Sequence, residues 1–126
     1  MHEARSGILL AGLFGLLGVA AGAFGAHGLE SRIGPEQLEW WNTAARYQQI
    51  HAVALLVTCA LPGPWTRARK LAIPLFAVGI VIFAGTLDAM ALGAPRWFGA
   101  ITPLGGLALM GGWAAVIGHG LALRER

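Results

Sequence analysis

Six side chains form a candidate polar cluster within the apolar runs of this sequence: His27, Arg46, Tyr47, Gln48, His51 and Asp88. A histidine, a carboxylate and a guanidinium gathered in an apolar setting could relay protons or bind a small polar solute. Two histidines from different helices could ligate haem or a metal ion, and a polar pocket could take a quinone or a lipid head group. Against these stands a plainer use, interhelical hydrogen bonding that holds helices together. No histidine sits in a metal-ligand spacing, so no metal or other cofactor is expected, with haem and quinone the remote exceptions. No nucleophile–base–orienter set, phosphate loop or carboxylate pair is visible. An enzyme is therefore the weakest of the functional readings.

The surroundings of these residues are almost wholly apolar. Of 126 residues, 56% are hydrophobic and 12% charged, against about 25% charged in an ordinary globular chain. The 19 glycines are many for soluble helices but suit membrane helices that pack closely. The apolar runs are long and do not alternate, which excludes strands. The net charge of +3 comes from basic residues at the ends of apolar runs, where lipid head groups are the natural partners. No patch of aromatic and basic residues points to nucleic acid. Cys59 is the lone cysteine, so it forms no internal disulfide.

A bilayer core about 30 Å thick needs roughly 20 apolar residues as helix. Four segments qualify within one domain, residues 1–126, with spans at about 6–27, 38–61, 71–92 and 101–123. Gly28 closes the first. Gly34-Pro35 opens the second, with Glu36 and Glu39 in its opening turns, and Pro62-Gly63-Pro64 stops it. Gly93-Ala94-Pro95 stops the third, and Thr102-Pro103 suits the first turn of the fourth. Pro74 is placed in the first turn of the third helix, where proline is tolerated. The first run follows Arg5 like a secretory signal, but it is long for a signal core. The fold expected is all-α, an integral membrane four-helix bundle. Arg5, Arg67, Arg69, Lys70, Arg124 and Arg126 outnumber Arg32, Arg46 and Arg96 at the other end, which makes both termini cytoplasmic. Trp40, Trp41, Trp65 and Trp97 fall near the expected interfaces, as an aromatic belt does.

Small residues mark the packing faces. The first helix carries Gly7, Ala11, Gly15, Gly18, Gly22 and Gly25 in steps of three and four, the third Ala77, Val81, Ala84, Asp88 and Ala91, and the fourth Gly105, Ala108, Gly112, Ala115 and His119. The second is the most polar. Tyr47, His51 and Thr58 follow at helical spacing with Gln48 beside them, while Arg46 and Gln49 occupy a different face. Asp88 and Arg46 lie at comparable depth, so an ion pair between them is expected. His27, Arg46, Gln48, His51 and Asp88 are expected to converge in the outer half of the bundle, with His119 apart near the inner end.

Four blocks carry a resemblance. The string from Gly22 to Leu29, the stretch from Ala45 through Tyr47-Gln48 to His51-Ala52 and Leu55-Leu56, Phe83 to Leu87, and Ile101 to Gly106 with Gly112-Trp113 resemble, in order, the pattern of a family of small bacterial inner-membrane proteins known as domain of unknown function 423. The resemblance implies a four-span, multi-pass protein of the bacterial inner membrane and brings no activity with it. The family's pattern usually carries tyrosine at the position of Asp88, whereas His27, Tyr47, Gln48, His51, Thr102 and Pro103 match it. The leading expectation is a structural or accessory protein that associates with itself or with a larger membrane complex, in contact with the lipid bilayer. The alternative is a small-solute or proton transporter or channel working through the polar cluster.

Overall fold

Helix starts and stops follow from the residues flanking the apolar runs. The computed structural model describes residues 2–124. Helix α1 is His2–Phe24 and runs on through one wide π-helical turn, Gly25–Leu29; α2 is Pro35–Ala60 and α3 is Arg67–Ala91; a 3₁₀ turn, Arg96–Ala100, leads into α4, Thr102–Ala122. Pro35 occupies the first turn of α2, where its missing N–H has no helical partner to lose. Thr66 caps α3, its hydroxyl oxygen accepting from the Arg69 N–H at 3.1 Å. That cap starts α3 four residues ahead of the apolar run expected to begin at Leu71. Pro74 consequently lies inside α3 and not in its first turn. Gly93, at φ +112°, ends α3 in a Schellman motif, with Ala94 N–H bonded to Ala89 O at 2.9 Å and Gly93 N–H to Met90 O at 3.1 Å.

Successive helices are antiparallel neighbours. Gly7 faces Cys59 and Gly18 faces Gln48 across α1 and α2, while Gly79 faces Leu109 and Gly105 faces Phe83 across α3 and α4. The N-terminus, the α2–α3 loop and the end of α4 therefore share one end of the molecule. Arg126, counted with that end above, lies outside the described residues. Helices α2 and α3 form the centre, with α1 laid on α2 and α4 on α3. The main core joins all four through Phe14, Leu55, Ile73, Phe76, Ile80 and Leu109.

Among the described residues, three helical stretches are long and apolar enough to cross a membrane: His2–Leu29, Arg67–Ala91 and Arg96–Ala122. Helix α2 matches them in length but is more polar, and it keeps Gln48, His51 and Thr58 buried against its neighbours. Of the expected small-residue stripe on α3, Ala84 and Ala91 are buried and Ala77 packs on the core. Val81 is 59% exposed, and α3 meets α4 through Phe76, Gly79 and Phe83. A Cβ on Gly105 would stand 2.5 Å from the Phe83 backbone nitrogen, so the two backbones touch there.

Candidate functional site: the two faces of α2 and the groove beside α4

Helix α2 divides its polar residues between two faces. One face addresses α1. Trp41 Nε1 donates to Ala21 O at 2.7 Å, Gln49 Nε2 to Gly18 O at 2.9 Å and Gln48 Nε2 to Phe14 O at 2.9 Å. These three carbonyls lie one behind another along α1, where the glycine stripe lets α2 approach. A Cβ on Gly18 would stand 2.9 Å from Gln49 Cγ, and one on Gly25 2.7 Å from the Trp41 ring. Gly22 lies against the Gln49 amide and Gly15 against Ala52. Trp41 is thus turned inward, not set in an interfacial belt.

The neighbouring face addresses α3 and α4. His51 is 6% exposed. Its Nδ1 lies 2.7 Å from Tyr47 O, and its Nε2 lies 3.0 Å from the Trp113 Nε1–H. A carbonyl can only accept and an indole N–H can only donate. His51 is therefore the neutral tautomer with its proton on Nδ1, and both ring nitrogens are engaged. The ring stands in an aromatic group with Tyr47, Phe76 and Trp113, each about 6.0 Å away centre to centre, and Tyr47 packs on Phe83 at 4.7 Å.

Beside this group a groove of about 880 Å³ runs between α2 and α4, from Arg46 and Pro103 at one end to His51 and Trp113 at the other. Its walls are Ile50, Leu107 and Met110, with Phe83 along the floor. Arg46 is exposed at its mouth and has no ion-pair or hydrogen-bond partner among the described residues.

The expected polar cluster does not assemble as one site. Gln48 and His51 stand only about 60° apart around α2, but the boundary between its neighbours runs between them, so Gln48 bonds to α1 and His51 to α4. His27 is exposed on the π-helical turn. Asp88 and Arg46 do not pair: Asp88 Oδ1 is buried without a hydrogen-bond partner, while Arg46 faces outward into the groove. An ion pair joins Arg96 to Glu36 at 3.2 Å, both well exposed at the end of the bundle opposite the N-terminus.

Two polar arrangements escaped sequence reasoning. Arg69, assigned above to a loop, is 1% exposed and caps the C-terminal end of α2. Its Nε donates to Thr58 O at 2.9 Å, one terminal nitrogen to Leu61 O at 2.6 Å and Cys59 O at 3.2 Å, and the other to Gly63 O and Pro64 O at 3.3 and 3.4 Å. All five guanidinium donors are used, on carbonyls a helix end leaves open, and the cation stacks 3.8 Å from the centre of the Trp65 ring. His119, on α4, shares a hydrogen bond between its Nδ1 and the Thr66 hydroxyl at 2.7 Å, so the α3 cap also ties α4 to the loop. The available signal was a helix end at Pro62 followed within two turns by an arginine.

Apolar helices around an internal hydrogen-bonded spine define an integral membrane helical bundle. The chain matches the family described as "Protein of unknown function (DUF423)" over residues 21–106, and it belongs to that family. It is 37% identical over 110 residues to a UPF0382 membrane protein of Staphylococcus haemolyticus, covering 87% of this chain and 90% of the relative. It is 40% identical over 116 residues to the UPF0382 membrane protein YwdK of Bacillus subtilis, covering 87% and 91%. It is 30% identical over 125 residues to the UPF0382 inner membrane protein YgdD of Escherichia coli, covering 94% and 92%. No solved structure matches this chain. This is a membrane protein of a family whose specific function is uncharacterised.

Proposed function

We propose that the protein is a structural or accessory component of a membrane assembly, working through its helix faces in association with itself or with a larger complex. The observation that carries this is the use made of the α2 polar side chains. Trp41, Gln48, Gln49 and His51 are all committed to neighbouring helices, which is construction and not an open polar path. The outward surfaces are apolar, most of all on α1, where Leu9, Leu13, Leu16 and Val19 are exposed. The likeness to an inner membrane protein of Escherichia coli supports a bacterial inner-membrane location with several crossings. The excess of Lys and Arg at the end bearing both termini supports their cytoplasmic placement. Extraction in mild detergent followed by native mass spectrometry is the test. Oligomers or a co-purifying protein are expected; a monomer carrying no other protein overturns the proposal.

Asp88 favours a second reading, transport of a proton or small solute, because a carboxylate oxygen without a partner inside a spanning helix invites a mobile ligand. Proteoliposomes test it. Flux abolished by Asp88→Asn in a folded protein supports transport, and wild-type flux no higher than that of empty liposomes excludes it.

A further inference from the structure

We propose that the groove between α2 and α4 seats one membrane phospholipid of the phosphatidylethanolamine class, with its phosphate on Arg46, its ammonium on Glu39 and an acyl chain lying along the groove toward Trp113. This goes beyond the accessory role above and does not depend on it.

The depth is right for a head group. Helix α4 has 21 residues, about 31 Å at 1.5 Å per residue, which matches a bilayer core of about 30 Å. Its first turn therefore marks the outer edge of the hydrocarbon. Arg46 lines the groove with Pro103 of that turn; its backbone lies deeper, and its long side chain can extend outward along α2 toward the lipid phosphates. From there the groove runs inward along α4 for ten residues to Trp113, about 15 Å of depth, between apolar walls that would pack an alkyl chain.

The charges are right for a zwitterion. Arg46 also borders a second hollow, of about 340 Å³, which climbs the same face of α2 past Thr43 and Asn42 to Glu39. Residues 39, 43 and 46 are spaced by four and three, which puts them in one row. Neither Arg46 nor Glu39 has an ion-pair partner among the described residues. The cation is deeper and the anion further out. A phosphoethanolamine group has its phosphate nearer the glycerol and its ammonium beyond, the same order. An anionic glycerol head group would meet Arg46 equally well but would leave Glu39 beside uncompensated negative charge. An apolar helix from a second copy would cover the walls and leave the guanidinium in hydrocarbon, which is costly.

The test uses the full chain reconstituted in nanodiscs of equal phosphatidylethanolamine and phosphatidylglycerol, released into mild detergent and weighed by native mass spectrometry. The wild type is expected to retain one phosphatidylethanolamine. Arg46→Gln should lower the retained fraction about ten-fold, the scale of a lost charge-assisted contact, and Arg46→Lys should restore part of it. Glu39→Gln should keep lipid bound but remove the preference for phosphatidylethanolamine. Gly106→Leu, which grows into the groove where the nearest atom to a new Cβ is 3.9 Å away, should expel the chain while helix content by circular dichroism stays constant. No retained lipid, equal retention of phosphatidylglycerol by the wild type, or unchanged retention in Arg46→Gln would each overturn the proposal. So would a cross-linked dimer formed through a Met110→Cys substitution, since it would put a second copy in the groove.

Discussion

The Trp113 indole N–H reaches across from α4 to His51 Nε2 on α2 at 3.0 Å, and the His51 Nδ1 proton is held by the Tyr47 carbonyl at 2.7 Å. This pair is the direct polar link between two helices that otherwise meet through α3. Trp113→Phe keeps an aromatic ring against Phe76, now 5.3 Å away centre to centre, and removes only the donor. The expected loss is about 0.6 to 1.7 kcal/mol, the range measured for hydrogen bonds between membrane helices. Unfolding in mixed micelles by denaturing detergent measures it. Nitrogen-15 NMR of labelled histidine should find the His51 proton on Nδ1 in the wild type; a proton on Nε2 would contradict the assignment.

Arg69 should be the most sensitive charged position in the chain. Its removal opens five hydrogen bonds at once at a buried helix end. Arg69→Ala is expected to cost about 3 kcal/mol or more, since hydrogen bonds to charged groups contribute about 1.5 to 3 kcal/mol each and do not add fully. Arg69→Lys keeps the charge but has three donors on a point-like head in place of a five-donor fork, so it should recover less than half of the loss. Exposed Arg67, two residues earlier at the same end, is the control: Arg67→Ala should stay within about 0.5 kcal/mol.

Glycines that look alike in sequence should separate cleanly. At Gly105 a methyl group would meet Phe83 backbone at 2.5 Å, and backbone cannot swing aside. Gly105→Ala must push α3 and α4 apart, at a cost of about 1 to 3 kcal/mol. At Gly12 nothing lies within 4 Å, and Gly12→Ala should be neutral to about 0.5 kcal/mol. Gly112 falls between, because the obstructing atoms belong to the Phe76 ring, a side chain that can tilt. Parallel thermal scans of the three variants give the ranking.

These contrasts show which parts of the molecule were legible in its residues. Apolar runs, prolines and a helix-ending glycine such as Gly93 mark the helices, because each acts through its own backbone. Gly18 and Gly105 stand out because small residues at helical spacing have few other uses. What could not be read was the partner of each polar side chain. Gln48, Gln49 and His51 are adjacent in sequence yet serve different helices, and only the packing order α1–α2–α3–α4 decides which. Arg69 read as one more basic residue at the end of an apolar run, because sequence does not show the open carbonyls that gather there. Asp88 read as half of an ion pair because depth can be counted along a helix, whereas the direction in which Arg46 turns, outward into the groove, cannot.

The α2 ladder to α1 should be weak rung by rung and strong as a whole. Each accepting carbonyl, on Phe14, Gly18 and Ala21, belongs to a helix and keeps its own helical partner if the side-chain bond is lost. No acceptor is orphaned, so Gln48→Leu, Gln49→Leu and Trp41→Phe should each cost about 0.6 kcal/mol. Together they remove every side-chain hydrogen bond recorded between α1 and α2, leaving the glycine stripe to hold α1 by contact alone. Cys59 reports on that directly: it is buried, and α1 passes over it at Gly7. In the wild type, maleimide labelling of Cys59 in mild detergent should be slow. The single variants should match it within about two-fold, and the triple variant should label at least ten-fold faster, on the order expected if about 1.4 kcal/mol or more of docking free energy is lost. Equal labelling of the triple variant and the wild type would mean that contact, not hydrogen bonding, holds α1 in place.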